Sequence, residues 1–299
     1  MAQIQRPHKP TRLALVGQVK DAITHQGIGT ARIKIKAAPK KFIEQLLGKL
    51  KFADLSLTPL QWYGLEKVIG DQNNQHNQNS PPLSDQALGR LNTIVQKNPS
   101  NYTDRLRLWL HDLEKSSLSP SDKFQVLQVL FDGLALGSSR PEPGMDRRIT
   151  RPDGWFYFVD LPPGPYQLEA SVPGSAMGYG LAQAQVEVVE GMANPFAQSR
   201  VSLELAPTTL QGKVVSGANP TEPVGMARVQ IAETQAYVFS SEEFVKLPDR
   251  EWNYQFVGII SDHAVVTLIV TAQGYETIQK KVDLRSGANN SLDMQLVPL

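Results

Sequence analysis

The sequence predicts a mainly β protein with an α insertion: two β-sandwich modules in tandem, the first interrupted by a block of helices. Three observations carry this. Short alternations of apolar and polar residues recur at regular spacing with turn formers between them, the pattern of sandwich strands. The same order of strand signals is written twice, once on each side of Pro207. From about Lys40 to Arg140 the apolar period changes from that of a strand to that of a helix.

The elements follow in order. Residues 1–12 contain Pro7 and Pro10 and read as a flexible arm. Leu13, Leu15, Gly17 and Val19 share one face of a strand ending at Asp21, and turn formers fill the stretch to Gly29. Ala31, Ile33 and Ile35 form the apolar face of a second strand whose wet face is Arg32, Lys34 and Lys36. Ile43, Leu46, Leu47 and Leu50 then recur at helical spacing. Thr58-Pro59-Leu60-Gln61 combines a capping box with a proline at the first helical position. Asp71–Ser80 lacks any apolar residue and reads as a loop. Helices are expected at Ser84–Gln96, at Thr103–Lys115 with Leu106, Trp109, Leu110 and Leu113 on one stripe, and at Pro120–Leu136 before Gly137. Their stripes can satisfy one another, so residues 40–145 read as an interaction lobe apart from the sandwich core.

Strand signals return at Asp153–Phe158 and continue through Tyr166–Val172, Ala182–Val189 and Val201–Leu205. After Pro207, Gly212-x-Val214 answers Gly17-x-Val19, and Ala227-Arg228-Val229-Gln230-Ile231 answers Ala31-Arg32-Ile33-Lys34-Ile35. Val282-x-Leu284 and Met294-x-Leu296-x-Pro298 answer Val186-x-Val188 and Leu203-x-Leu205-x-Pro207. The first module is therefore residues 13–39 plus 146–207, and the second is residues 208–299.

The run Asp153-Gly154-Trp155-Phe156-Tyr157-Phe158-Val159-Asp160-Leu161-Pro162-Pro163-Gly164-Pro165-Tyr166-Gln167-Leu168, with the Gly-x-Val opening strands, resembles the carboxypeptidase regulatory-like (transthyretin-like) sandwich family. The resemblance implies two Ig-like/transthyretin-like modules without an active site. The second copy departs from the pattern, lacking Asp-Gly and Leu-Pro-x-Gly but keeping Gly274-Tyr275. The modules also resemble collagen-adhesin B domains, in which an acid four residues after the tyrosine supports a Lys–Asn crosslink. Here that position is Ala170, and alternation turns Glu169 to the other face, so no crosslink is expected.

Composition narrows function. The chain has no cysteine and a net charge of +1, which removes disulfides, thiolate chemistry and a whole-chain attraction for nucleic acid. The N-terminus lacks a signal-like apolar core, so a cytoplasmic protein is expected. His111 and Glu114 share a helix face, but nothing nearby completes a metal site. The glycine-rich stretch Gly174–Gly180 opens no helix and reads as a flexible loop between strands, not a phosphate cradle. No catalytic, cofactor-binding or metal-binding residue is expected. The charged feature that stands out is the basic start: eleven Lys or Arg from Met1 to Lys51 against Asp21 and Glu44. Arg32, Lys34, Lys36, Lys40 and Lys41 are the candidate partner-binding residues, whether for an acidic protein, an anionic membrane or, the poorest fit, nucleic acid.

The expected function is a non-enzymatic structural or adaptor subunit of a larger protein assembly, its partners other subunits or further molecules of this chain. Proteins of the resembled family found with phage-tail-like contractile injection particles offer one setting. The alternative is a carbohydrate- or surface-binding module, for which Trp62, Trp109, Trp155 and Trp252 are the candidate aromatics.

Overall fold

A computed structural model describes residues 13–52, 58–74, 83–95, 102–136, 146–174, 178–189, 199–248, 250–261 and 263–299. The arm expected over residues 1–12 lies outside them. The described chain is mainly β, two sandwich modules with helices inserted in the first.

The first copy comprises β1 (Leu13–Asp21), β2 (Arg32–Ala37), β3 (Arg147–Ile149), β4 (Trp155–Val159), β5 (Gly164–Ser171), β6 (Ala182–Val188) and β7 (Ser199–Leu205). They form two sheets, in the orders β4-β1-β7 and β3-β2-β5-β6. Alternation does the sorting. Leu15, Val19, Ile33, Ile35, Phe156, Phe158, Leu168 and Leu203 face the core, while Trp155 and Tyr157 stay outside. The Phe156 and Phe158 rings meet edge to face at 6.2 Å. Gly17 pairs with Phe156, and a Cβ there would sit 2.2 Å from the ring's Cζ, so only glycine lets that ring cross β1.

The second copy repeats this plan. Its strands are β8 (Thr209–Gly212), β9 (Val214–Ser216), β10 (Arg228–Ile231), β11 (Tyr237–Phe239), β12 (Val245–Leu247), β13 (Arg250–Trp252), β14 (Tyr254–Val257), β15 (Val265–Thr271), β16 (Ile278–Asp283), β17 (Asn289–Ser291) and β18 (Met294–Leu296). The order β11-β10-β15-β16 repeats β3-β2-β5-β6, and β14-β8-β17 with β18-β9 repeats β4-β1-β7. Even single bonds recur. Thr150 Oγ1 accepts from Ala31 N at 2.9 Å and donates to Ile28 O at 2.7 Å. Ser240 Oγ accepts from Ala227 N at 2.9 Å and donates to Val224 O at 2.6 Å. The missing Asp-Gly of the second copy also has a physical replacement. Val19 N donates to the Gly154 carbonyl at 2.9 Å, whereas Val214 N donates to the buried Asn253 side chain at 2.7 Å.

Between β2 and β3 run α1 (Lys40–Phe52), α2 (Pro59–Asn74), α3 (Asp85–Val95), α4 (Tyr102–Lys115) and α5 (Pro120–Leu136). The Thr58–Gln61 box forms reciprocally: Thr58 N donates to Gln61 Oε1 at 3.0 Å and Gln61 N to Thr58 Oγ1 at 3.3 Å. Asp71–Asn74, expected in a loop, extend α2; they contain no proline or glycine to break the backbone ladder.

The expectation of a lobe apart from the sandwich core is corrected. Helices and first-copy strands share one continuous core, from Ala14 to Leu205, while the second copy has its own, from Leu210 to Leu296. Phe42 of α1 is the keystone, edge-on to Phe124 of α5 at 5.9 Å and to Tyr166 of β5 at 5.8 Å. The two copies also touch. Thr208 N donates to Gly178 O at 2.9 Å and Ser286 Oγ to Tyr179 O at 2.6 Å. A Cβ on Gly287 would lie 2.4 Å from Gly180 Cα. The described end of the glycine-rich stretch is thus an inter-module contact, which its composition did not announce.

Candidate interaction surfaces

The basic face of β2 points outward because Ile33 and Ile35 fill the core. It is not left to solvent. Lys34 Nζ lies 2.9 Å from one oxygen of Asp132 on α5. Arg147 of β3, the cross-strand neighbour of Lys34, lies 3.0 Å from the other and forks onto buried Asp146 at 3.2 and 3.1 Å. Burial opposes the Arg147 charge, but the two carboxylates outweigh it and hold its pKa above the ordinary value. Gln128 of α5 donates to the Ile35 carbonyl.

Of the other candidates, Lys36 pairs with Glu169 at 3.4 Å and Lys40 with Glu44 at 3.5 Å, one helical turn on. Arg32 and Lys41 are exposed. The structure therefore gathers Lys34 and Lys36 into internal ion pairs and uses the strand face to anchor α5. Alternation placed these lysines on the right face. It could not supply Asp132, which is far away along the chain.

The equivalent face of the second copy is chemically different. Arg32 pairs with Ile149 and Lys34 with Arg147; in the second copy Arg228 pairs with Phe239 and Gln230 with Tyr237. Across the next strand, Glu169 beside Lys34 becomes Ile269 beside Gln230. Tyr237 is 53% exposed, Phe239 52%, and Met226, two residues before β10, 68%. The two rings meet edge to face at 5.7 Å, and the Arg228 guanidinium lies 4.6 Å from the Tyr237 centroid. A tight turn, Gln235 N to Ile231 O at 2.9 Å, closes β10 onto β11. No inserted helix lies between those strands to cover the face. β11 is also a sheet edge with no charged residue, whereas β16 at the opposite edge carries Lys280 and Lys281. Sequence reasoning missed this surface. Its available signal was the alternation Tyr237-Val238-Phe239 just after the repeated Ala-Arg strand.

Other features fill in the surface. Trp62 and Trp109 are buried, their indole nitrogens donating to Glu66 at 2.8 Å and to the Arg90 carbonyl at 2.9 Å. They drop out of the aromatic candidates. Trp155 and Tyr157 stand exposed on β4, and Trp252 is half-buried. His111 and Glu114 are exposed on α4; among the described residues no group of three such side chains could hold a metal ion. A cleft of about 600 Å³ lies among Ile43, Leu47, Leu118 and Pro120, rimmed by Lys40, Glu44, Glu114 and Lys123. No helix among the described residues is long and apolar enough to cross a membrane.

One buried acid needs explaining. Asp21 accepts from Ile23 N and Thr24 N at 2.8 Å each and from the Tyr179 hydroxyl at 2.9 Å. Burial raises its pKa, but these donors outweigh that and leave it below the ordinary carboxylate value. It fastens the β1 turn to the Tyr179 loop, a structural task.

No protein-family model matches the chain, and no curated protein sequence matches it. Solved structures do. The TIE protein of Bacillus anthracis is 18% identical with a TM-score of 0.29, over 51% of this chain and 28% of that one. Shaft pilin SpaA of Lactobacillus rhamnosus GG is 10% identical with a TM-score of 0.31, over 97% and 98%. A minor pilin of Streptococcus agalactiae is 15% identical with a TM-score of 0.21, over 51% and 68%. At scores this low nothing about function passes from them to this chain.

Proposed function

We propose that this chain is a non-enzymatic structural or adaptor subunit of a larger protein assembly, joined to its neighbours through the outer face of β10, β11 and β15. One observation carries the reading. Tyr237, Met226 and Ile269 occupy positions that in the first copy hold Arg147, Thr30 and Glu169, and Phe239, where the first copy has Ile149, extends the face; three of the four are more than half exposed. Large side chains gathered on one uncovered edge are a recurring mark of an interaction surface. What distinguishes the second module is this apolar face rather than a set of acid–base groups.

The family assignment is also proposed: both modules are read as carboxypeptidase regulatory-like sandwiches on the Asp153–Leu168 run and the matching strand order. A cytoplasmic phage-tail-like contractile injection particle is the setting that family resemblance offers, and it rests on the resemblance alone. Trp155 and Tyr157, exposed on alternate positions of β4, favour the second reading, a carbohydrate- or surface-binding module.

The test is a Tyr237→Ser, Phe239→Ser double variant in the native host. Both side chains are surface-exposed, so stability should change by no more than about 0.5 kcal/mol. The variant should fold and yet drop out of the complexes that carry the wild-type chain. Recovery in those complexes at the wild-type ratio would remove the proposal.

A further inference from the structure

We infer that the occupant of the β10–β11 face is helix α4 of a second molecule of this chain, seated head to tail. The inference rests on the docking reading above and names its partner.

The first copy shows how this sheet face accepts a helix. There α5 lies against β2, placing the Asp132 carboxylate over the cross-strand pair Lys34 and Arg147. The second copy keeps a cation at Arg228 and adds Lys281 on the same outward face. Between them Tyr237 and Ile269 stand where the first copy has Arg147 and Glu169, and Phe239 stands where it has Ile149. Such a face fits a helix that carries an apolar side chain one turn from a carboxylate.

Helix α4 presents that pattern to solvent. Leu106, Trp109, Leu110 and Leu113 face its own core. Leu108, on the opposite side, is 66% exposed, and Asp112 is exposed one turn further on. Leu108 interrupts the otherwise polar outer face of this amphipathic helix. Seated on the second module of a neighbour, Leu108 covers the Tyr237–Phe239 pair and Asp112 meets Arg228. The two surfaces are different and lie on different modules, so the contact is heterologous. Each molecule keeps one of each free, and the array stays open unless its rotation closes a ring.

The experiment is sedimentation velocity of the purified full chain, from low-micromolar to near-millimolar concentration. The weight-average mass should rise past that of a dimer. Arg228→Glu and Asp112→Arg should each weaken self-association by about tenfold or more, and the two together should restore it. Leu108→Ser should weaken it without touching any charge. Circular dichroism confirms that each variant is folded. A chain that stays monomeric, a dimer that adds no further molecules, or a charge swap that rescues nothing would each overturn the inference. A monomeric wild type whose Tyr237→Ser, Phe239→Ser variant still drops out of native complexes would leave the docking face standing, with another protein on it.

Discussion

The outer face of β2–β3 and the outer face of β10–β11 are the same place in two copies of one fold, and the first is mostly charged where the second is mostly apolar. The first holds Arg32, Lys34, Arg147, Glu169 and one apolar residue, Ile149; the second holds Arg228, Gln230, Tyr237, Phe239 and Ile269. Inward positions could not diverge in this way, because Ile33, Ile35, Val229 and Ile231 all fill a core. Outward positions answer to whatever lies over them. In the first copy that is α5, which satisfies Lys34 and Arg147 through Asp132. In the second it is a tight turn and open solvent. The comparison teaches that the insertion makes part of one sheet surface an internal joint, while the matching surface of the other copy stays open.

The largest effects should fall on the joint. Phe42→Ala removes the ring shared by α1, α5 and β5, a loss of about 3–5 kcal/mol. In calorimetry it should lower the transition of the first module and leave that of the second in place; residues 208–299 expressed alone should keep a cooperative transition. Asp146→Ala strips one of two carboxylates from half-buried Arg147 and should cost about 2 kcal/mol, again in the first module only. A shift of both transitions together would mean that the two cores are not thermodynamically distinct.

A titration separates the modules in another way. The folded-state pKa of Asp21 is depressed, so its contribution is fully present above the unfolded value of about 3.9 and is lost as pH falls through the folded value. Asp21→Ala should cost about 2 kcal/mol at neutral pH, and the difference from wild type should shrink in acid. Only first-module stability should respond, because Ser216 of β9 stands where Asp21 stands on β1. Smaller effects test the likeness of the copies. Thr150→Val and Ser240→Ala each strand the same backbone amide, so each should cost about 1 kcal/mol in its own module. Unequal costs would show that the shared geometry hides different packing.

Much of this fold was legible because period-two alternation and repeated turn signals are local. The capping box at Thr58–Gln61 and the duplicated Ala-Arg strand both follow from neighbouring residues. What stayed hidden depends on residues far apart in the chain. The lysines of β2 looked like a docking face until Asp132 and Glu169 met them. Phe42 sits beside the stripe of Ile43, Leu46 and Leu47 and gave no sign that it would reach Tyr166. The β11 surface was missed because a three-residue strand holds too few alternations to declare itself.

The central claim is that the second copy's outer face is covered in the assembled state, while Lys34 and Arg147 on the first copy's are already met by α5 in the free chain. Hydroxyl-radical footprinting of the free chain and of the native assembly reads this directly, side chain by side chain. The account predicts strong labelling of Met226, Tyr237 and Phe239 in the free chain, lost on assembly, with Trp155 and Tyr157 labelled alike in both states. Protection of Trp155 and Tyr157 with Tyr237 and Phe239 left reactive would contradict it, and would move the working surface to β4.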